Sequence, residues 1–69
     1  MNIGKAIVFL RKEKKISQEG LATKSNLSRH YMYRLENNKA SPTINTLVKI
    51  SGVLSIPVSE LIAQAEKEN

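Results

Sequence analysis

The chain has 69 residues, of which 41% are hydrophobic, and carries a formal net charge of +5. A chain of this length has room for one small domain, which buries only about 60% of its unfolded surface, so an oligomer would add stability. It contains no cysteine, which excludes disulfides and thiolate metal sites. No stretch approaches the roughly 18 apolar residues of a membrane span and no signal-peptide pattern opens the chain, so a cytoplasmic protein is expected.

The charge is unevenly distributed along the chain. Residues 1–49 hold 10 of the 11 Lys and Arg residues and only three acids, whereas acids outnumber bases in residues 50–69. A basic body indicates a polyanionic partner such as nucleic acid. A solubilising surface charge would explain the same composition about as well. The aliphatic segment at about residues 54–66 indicates contact with another protein chain.

The first helix is predicted over residues 3–14, where Ile3, Ile7 and Leu10 recur at helical spacing. Ser17 and Ser28 are good N-caps for a second and a third helix.

Asn26 is the natural turn residue between these two helices, because Asn tolerates the left-handed region. The two capped helices repeat one pattern, a hydrophobic residue before the cap paired with one at the fourth helical position. These pairs are Ile16 with Leu21 and Leu27 with Met32. Two capped helices joined by a short turn predict a helix-turn-helix at about residues 17–37.

A fourth and a fifth helix complete the chain. Thr43 is predicted to cap the fourth helix, and Pro57 suits the start of the fifth. The fourth helix is predicted to carry its apolar residues on one face, namely Ile44, Leu47, Val48, Ser51 and Leu54. No run of residues indicates a strand. We therefore predict a single all-α domain over residues 1–69, built as a five-helix bundle.

Residues that carry enzyme chemistry are scarce. His30 is the only histidine, and no acid stands at a helical neighbour spacing to orient it as a general base. No glycine-rich phosphate loop and no set of three metal ligands is present. We predict neither an enzyme nor a bound metal or cofactor.

Double-stranded DNA fits the remaining facts. The major groove admits one α-helix, and residues near the N-terminal end of that helix read the base edges. Arg29 is the first residue after the Ser28 cap, where a guanidinium can reach guanine O6 and N7 together; a solvated surface arginine is the alternative. The predicted base-contacting residues are Ser28, Arg29, His30, Tyr33 and Arg34.

Residues at the rim of this helix are predicted to contact phosphates and so to fix register rather than sequence preference. Two roles remain open for Tyr31: contact with the sugar–phosphate backbone, or bracing of the helix from its side. The predicted phosphate-contacting residues are Ser17, Gln18, Tyr31, Asn37, Lys39 and Thr43.

The combined pattern resembles a known family, the phage-repressor/Cro-type helix-turn-helix domain (XRE family). The resemblance covers about residues 3–62 and rests on Gln18-x-x-Leu21-Ala22, a turn at Asn26, Tyr31-Met32-x-x-Leu35-Glu36-Asn37 and Ser41-Pro42-Thr43-Ile44-x-Thr46-Leu47. It implies a lambda-repressor-like fold with the third helix in the major groove, and a structural ion pair between Arg11 and Glu36. Gly20, Ser25, Asn26 and Asn38 depart from the residues usual in the family.

Within this family the chain resembles the small controller proteins of restriction–modification systems, although phage or plasmid repressors and antitoxins share its features. We predict a homodimeric transcriptional regulator that acts on a pseudo-palindromic operator. An antitoxin-like protein that binds a toxin-like partner is the alternative, and RNA polymerase is a further candidate partner. The predicted dimer interface consists of Leu54, Ile56, Val58, Leu61, Ile62 and Ala65, residues that would otherwise close the core of the monomer.

Overall fold

The computed structural model describes all 69 residues and contains five helices and no strand. The helices are α1 (Ile3–Glu13), α2 (Gln18–Lys24), α3 (Arg29–Glu36), α4 (Ile44–Val53) and α5 (Val58–Lys67). They pack into a body of 26 × 24 × 21 Å. The predicted all-α, five-helix architecture with a central helix-turn-helix is confirmed.

The N-termini of α2, α3 and α4 are capped by the predicted side chains. The hydroxyls of Ser17, Ser28 and Thr43 each accept a hydrogen bond from a backbone N–H three residues further on. Asn2 caps α1 in the same way and was not predicted. Pro57 stands at the N-cap of α5 rather than at its first helical position, and it provides no side-chain bond.

Four helices end in the same left-handed turn. Its central residue has φ between 57° and 59°, and its N–H donates to the carbonyl three residues back. The N–H of the following residue donates to the carbonyl five residues back, as in Leu27 to Ala22 at 2.9 Å. This is the Schellman motif, which satisfies the last carbonyls of a helix. The central residues are Lys15, Asn26, Asn38 and Ser55.

The core draws on all five helices, and it corrects the predicted face of α4. Ile44 and Val48 are 72% and 50% exposed, so they do not belong to the buried face. α4 instead turns inward Thr46, Leu47, Ile50 and Ser51, with Leu54 immediately after its end. The fully buried large side chains of the molecule are Ile7, Leu21, Met32, Leu35, Ile50, Leu54 and Leu61.

α1 supports the helix-turn-helix from behind and packs on both α3 and α5. Its N-terminal end lies against the C-terminal end of α3 at Gly4, where a Cβ would overlap the carbonyl of Glu36. The backbone N–H of Asn2 donates to the carbonyl of Ala65 at 2.9 Å, which ties the start of α1 to α5.

No single helix is long and apolar enough to cross a membrane. Helices α4 and α5 reach that length and apolar character only when they are taken together, and the chain bends by 97° at the break between them.

Candidate nucleic-acid interface

The helix-turn-helix presents the leading end of α3 on the surface. The Ser28 hydroxyl accepts from the N–H of Tyr31 at 3.0 Å, which fixes Arg29 as the first residue of the helix. Behind the helix, Met32 and Leu35 are buried. Because the back of α3 is anchored in the core, its outer face has a defined orientation.

The outer face of α3 carries the predicted base-contacting residues. Arg29, His30, Tyr33 and Arg34 are all exposed, as is the cap residue Ser28. The structure therefore brings these five side chains to one surface, and their contact with bases stays a prediction.

Arg29 forms an ion pair that the sequence did not reveal. Its Nη1 lies 3.1 Å from Oε2 of Glu19, in the first turn of α2. Both side chains are largely exposed, at 73% for Arg29 and 65% for Glu19. No local spacing in the sequence indicates this pair, because the contact depends on the angle between α2 and α3.

Arg34 points toward the loop after α3. Its Nη2 donates to the backbone carbonyl of Lys39 at 2.6 Å, and the Lys39 N–H donates back to the Arg34 carbonyl at 2.8 Å. The Lys39 ammonium lies 5.9 Å from the centre of the Tyr33 ring. Arg34, Tyr33 and Lys39 thus form one cluster with two cationic side chains near the C-terminal end of α3.

Tyr31 is half-buried and reaches toward α4. Its hydroxyl lies 3.4 Å from Oγ1 of Thr46, which in turn lies 3.1 Å from Oγ1 of Thr43. Of the two roles left open for Tyr31, the brace is the one that this geometry supports. The hydroxyl chain also fixes the orientation of Thr43, a predicted phosphate contact.

Gln18 and Asn37 both make contacts within the chain. Gln18 Nε2 donates to Oε1 of Glu36 at 2.9 Å, and Asn37 Nδ2 donates to the carbonyl of Tyr33 at 2.9 Å. Ser17 is exposed at the start of α2. The predicted phosphate contacts therefore lie around α2, the end of α3 and the loop to α4.

The ion pair that the family resemblance implied is present. Arg11 donates through Nε to Oε2 of Glu36 at 2.6 Å and through Nη2 to Oε1 at 3.0 Å. The Glu36 side chain is 3% exposed and that of Arg11 is 13% exposed. The pKa of the Arg11 guanidinium is raised above its usual value, chiefly by its hydrogen bonds to Glu36 and also by the charge of that carboxylate, while burial opposes the shift.

The residues of the predicted dimer interface differ in how deeply the monomer buries them. Leu54, Leu61 and Ala65 are fully buried within the monomer, so they cannot contact a partner without opening the core. Ile56, Val58 and Ile62 are only partly buried and leave apolar surface exposed. Sequence spacing could not separate the buried residues from the accessible ones, because it does not show how deeply α5 is buried in the core.

No group of three or more His, Asp or Glu side chains stands close enough together to hold a metal ion.

Comparisons with known proteins agree with this geometry. The helix-turn-helix family model matches residues 9–61. The control protein C.MunI of a Mycoplasma species is 41% identical over 69 residues, which are 99% of this chain and 93% of that protein. The immunity repressor protein of Bacillus phage phi105 is 39% identical over 64 residues, which are 93% of this chain but 44% of the repressor.

Among solved structures, the clp gene regulator ClgR from Corynebacterium glutamicum superposes with a TM-score of 0.91 at 23% identity, over 96% of this chain and 70% of that one. This likeness supports the fold.

The chain belongs to the helix-turn-helix family of the phage-repressor/Cro type, as the sequence predicted. This is a family of DNA-binding transcriptional regulators and not of enzymes.

Proposed function

We propose that the protein is a sequence-specific transcriptional regulator that binds a pseudo-palindromic operator as a homodimer, with α3 in the major groove. The observation that carries this proposal is the exposed leading end of α3, where Arg29 follows a fixed cap on a helix anchored by Met32 and Leu35. In this position a guanidinium can hydrogen-bond guanine O6 and N7 together. The expected cytoplasmic location stays a prediction.

The proposed base readers are those nearest the N-terminal end of α3. Ser28, Arg29, His30 and Tyr33 are exposed there, and His30 forms no ion pair. Arg34, held by the Lys39 carbonyl, is assigned to the phosphate backbone. This division separates residues that would set sequence preference from residues that would set affinity.

The phosphate contacts proposed at the rim come from side chains that keep free hydrogen-bonding atoms. Gln18 retains its second amide hydrogen and its carbonyl oxygen after bonding Glu36, and the Lys39 ammonium forms no ion pair. Each cation that neutralises a phosphate releases counterions, so binding should weaken steeply with salt.

The proposed dimer surface uses Ile56, Val58 and Ile62, the part of the predicted interface that remains accessible. A two-fold dimer would place two copies of α3 about 34 Å apart, one turn of DNA. This spacing is what a palindromic operator requires.

A controller-type regulator is the subclass that the comparisons favour. The control protein C.MunI is 41% identical to this chain over 69 residues.

An antitoxin-like protein that binds a partner protein is the second candidate. The observation in its favour is Phe9, which is 44% exposed beside the half-buried Val8 on α1. Tight and specific DNA binding by the isolated protein would argue against masking of a partner as its main task.

Selection of bound sequences from random DNA tests the proposed function. The expected result is an inverted repeat whose half-sites are about 10 base pairs apart, centre to centre. Enrichment of a single asymmetric half-site would contradict the homodimeric mode, and the absence of any enriched motif would contradict sequence-specific binding.

A further inference from the structure

Only two ion pairs form in this basic protein, and one of them involves the proposed base reader. Arg29 at the first position of α3 meets Glu19 at the second position of α2, 3.1 Å apart. The contact crosses the helix-turn-helix, because the two residues belong to different helices. The guanidinium is therefore held by the neighbouring helix before any DNA is bound.

The pair uses only part of the hydrogen-bonding capacity of Arg29. A guanidinium has five N–H donors, and Glu19 accepts from Nη1 alone. The donors on Nη2 and Nε stay free, so Arg29 can keep its contact with Glu19 while it offers a donor pair to a guanine edge. An arginine held in this way loses less conformational entropy when it binds a base.

Glu19 also works against indiscriminate binding. Its carboxylate is 65% exposed on the surface proposed to face DNA, where it would repel phosphates. It offsets the charge of Arg29 whether or not the correct base is present. This repulsion weakens binding to all sequences alike, and only the correct base regains affinity from the oriented donor, so it is the orientation of Arg29 that increases discrimination.

We propose that Glu19 is a positioning and specificity-determining residue, which orients Arg29 for guanine and lowers the affinity for other sequences. The inference rests on the proposed function, since it assumes that Arg29 reads a base.

The test compares Glu19→Gln with Glu13→Gln. Both variants remove one negative charge from an exposed residue and keep the size of the side chain, but Glu13 forms no ion pair. Dissociation constants are measured for the selected operator and for an operator altered at the base pair read by Arg29 in each half-site. The ratio of the two constants is the discrimination.

Glu19→Gln is expected to lower this ratio about two- to fivefold, the scale of an exposed ion pair, and to strengthen binding to the altered operator. Glu13→Gln should change both constants alike and leave the ratio intact. Combining Glu19→Gln with Arg29→Ala should give the ratio of Arg29→Ala alone, because Glu19 acts through Arg29.

An unchanged ratio in Glu19→Gln, with Arg29→Ala still abolishing the base preference, would overturn the role of Glu19 and leave the proposed function standing. If Arg29→Ala also keeps the preference, the assignment of Arg29 itself is wrong. Thermal unfolding followed by circular dichroism shows that each variant is folded.

Discussion

At the scale of single residues, the carboxylate of Glu36 connects the buried support of the domain to its proposed DNA surface. It accepts two hydrogen bonds from Arg11 on α1 and one from Gln18 on α2, while it stands at the end of α3. Three helices thus share one polar junction, and Gln18 is fixed at the edge of the proposed phosphate contact.

Replacing Arg11 with Ala should destabilise the domain by about 3 kcal/mol, because a buried carboxylate would lose its charged partner. Urea unfolding of the variant measures the change. Arg11→Met combined with Glu36→Leu serves as the control and should recover most of the loss, since it removes both charges. A loss below about 1 kcal/mol in Arg11→Ala would show that the junction is not a main source of stability.

The pH dependence of this junction follows from the raised pKa of Arg11. A group whose pKa is higher in the folded state contributes its full stabilisation below its unfolded-state pKa and loses it as the pH rises through the folded-state pKa. Both values lie far above neutrality for arginine. Arg11 therefore adds no slope to stability between about pH 6 and 9.

The two proposed modes of DNA contact predict different mutant behaviour. Arg29→Ala should remove the preference at one base pair of each half-site and leave the salt dependence nearly unchanged. Lys39→Ala should weaken binding to all sequences alike and reduce the slope of log K against log salt by about 1. Titrations at several salt concentrations distinguish these results, and an unchanged consensus in Arg29→Ala would refute the base-reading assignment.

At the scale of helices, the chain closes its left-handed turns without glycine, and Asn38 shows why one of them benefits from a side chain. Asn38 Oδ1 accepts from the N–H of Gly4 at 3.1 Å, and its Nδ2 donates to Asn2 at 2.7 Å. Asn26 has the same backbone conformation, with φ of 58°, and its side chain makes no such bond. The two residues form a natural comparison.

Asn38→Gly should destabilise the protein by about 1 kcal/mol relative to Asn26→Gly, because both variants relieve the same backbone strain but only the first loses hydrogen bonds. Chemical denaturation of the two variants gives the difference directly. Equal stabilities would mean that the Asn38 side chain contributes nothing beyond its backbone conformation.

Adding a methyl group at two helical glycines should change the stability of the protein in opposite directions. At Gly4 an added Cβ would lie 2.8 Å from the carbonyl oxygen of Leu35 and would overlap that of Glu36, whereas at Gly52 nothing lies within 4 Å. Gly4→Ala should cost about 2 kcal/mol by forcing α1 away from α3. Gly52→Ala should stabilise α4 by about 0.5 kcal/mol through helix propensity. Melting temperatures of both variants test this contrast.

Local signals explain what the sequence could predict about these helices. The caps at Ser17, Ser28 and Thr43 act within three residues of the chain, so their pattern is visible without a fold. The exposed positions of Ile44 and Val48 could not be predicted in the same way, because an aliphatic helix can be rotated until its neighbours fix the buried face.

Contacts between helices could not be predicted from local sequence patterns either. The ion pair of Glu19 with Arg29 and the bond from Gln18 to Glu36 depend on how α2 crosses α3. The Arg11–Glu36 pair was anticipated only through resemblance to a family, and no local spacing indicates it.

At the scale of the whole molecule, the dimer prediction now concerns two accessible apolar surfaces. Ile62 represents the exposed part of α5, and Val48 represents the exposed face of α4. Ile62→Lys should produce a folded monomer that binds the operator weakly, while Val48→Lys should remain a dimer. Sedimentation velocity measures the outcome, and the reverse pattern would move the interface to α4.

The packing of α1 on α5 also has a consequence for folding during synthesis of the chain. At about 5–20 residues per second, the ribosome needs about 2–9 s to make residues 14–57 after α1 is complete. An isolated helix of 11 residues is marginal in water, so α1 depends on the later helices for lasting structure. The side of α1 that packs on α5 stays uncovered until α5 is made, and a nascent chain that stalls before α5 would leave this part of the core open to chaperones and proteases.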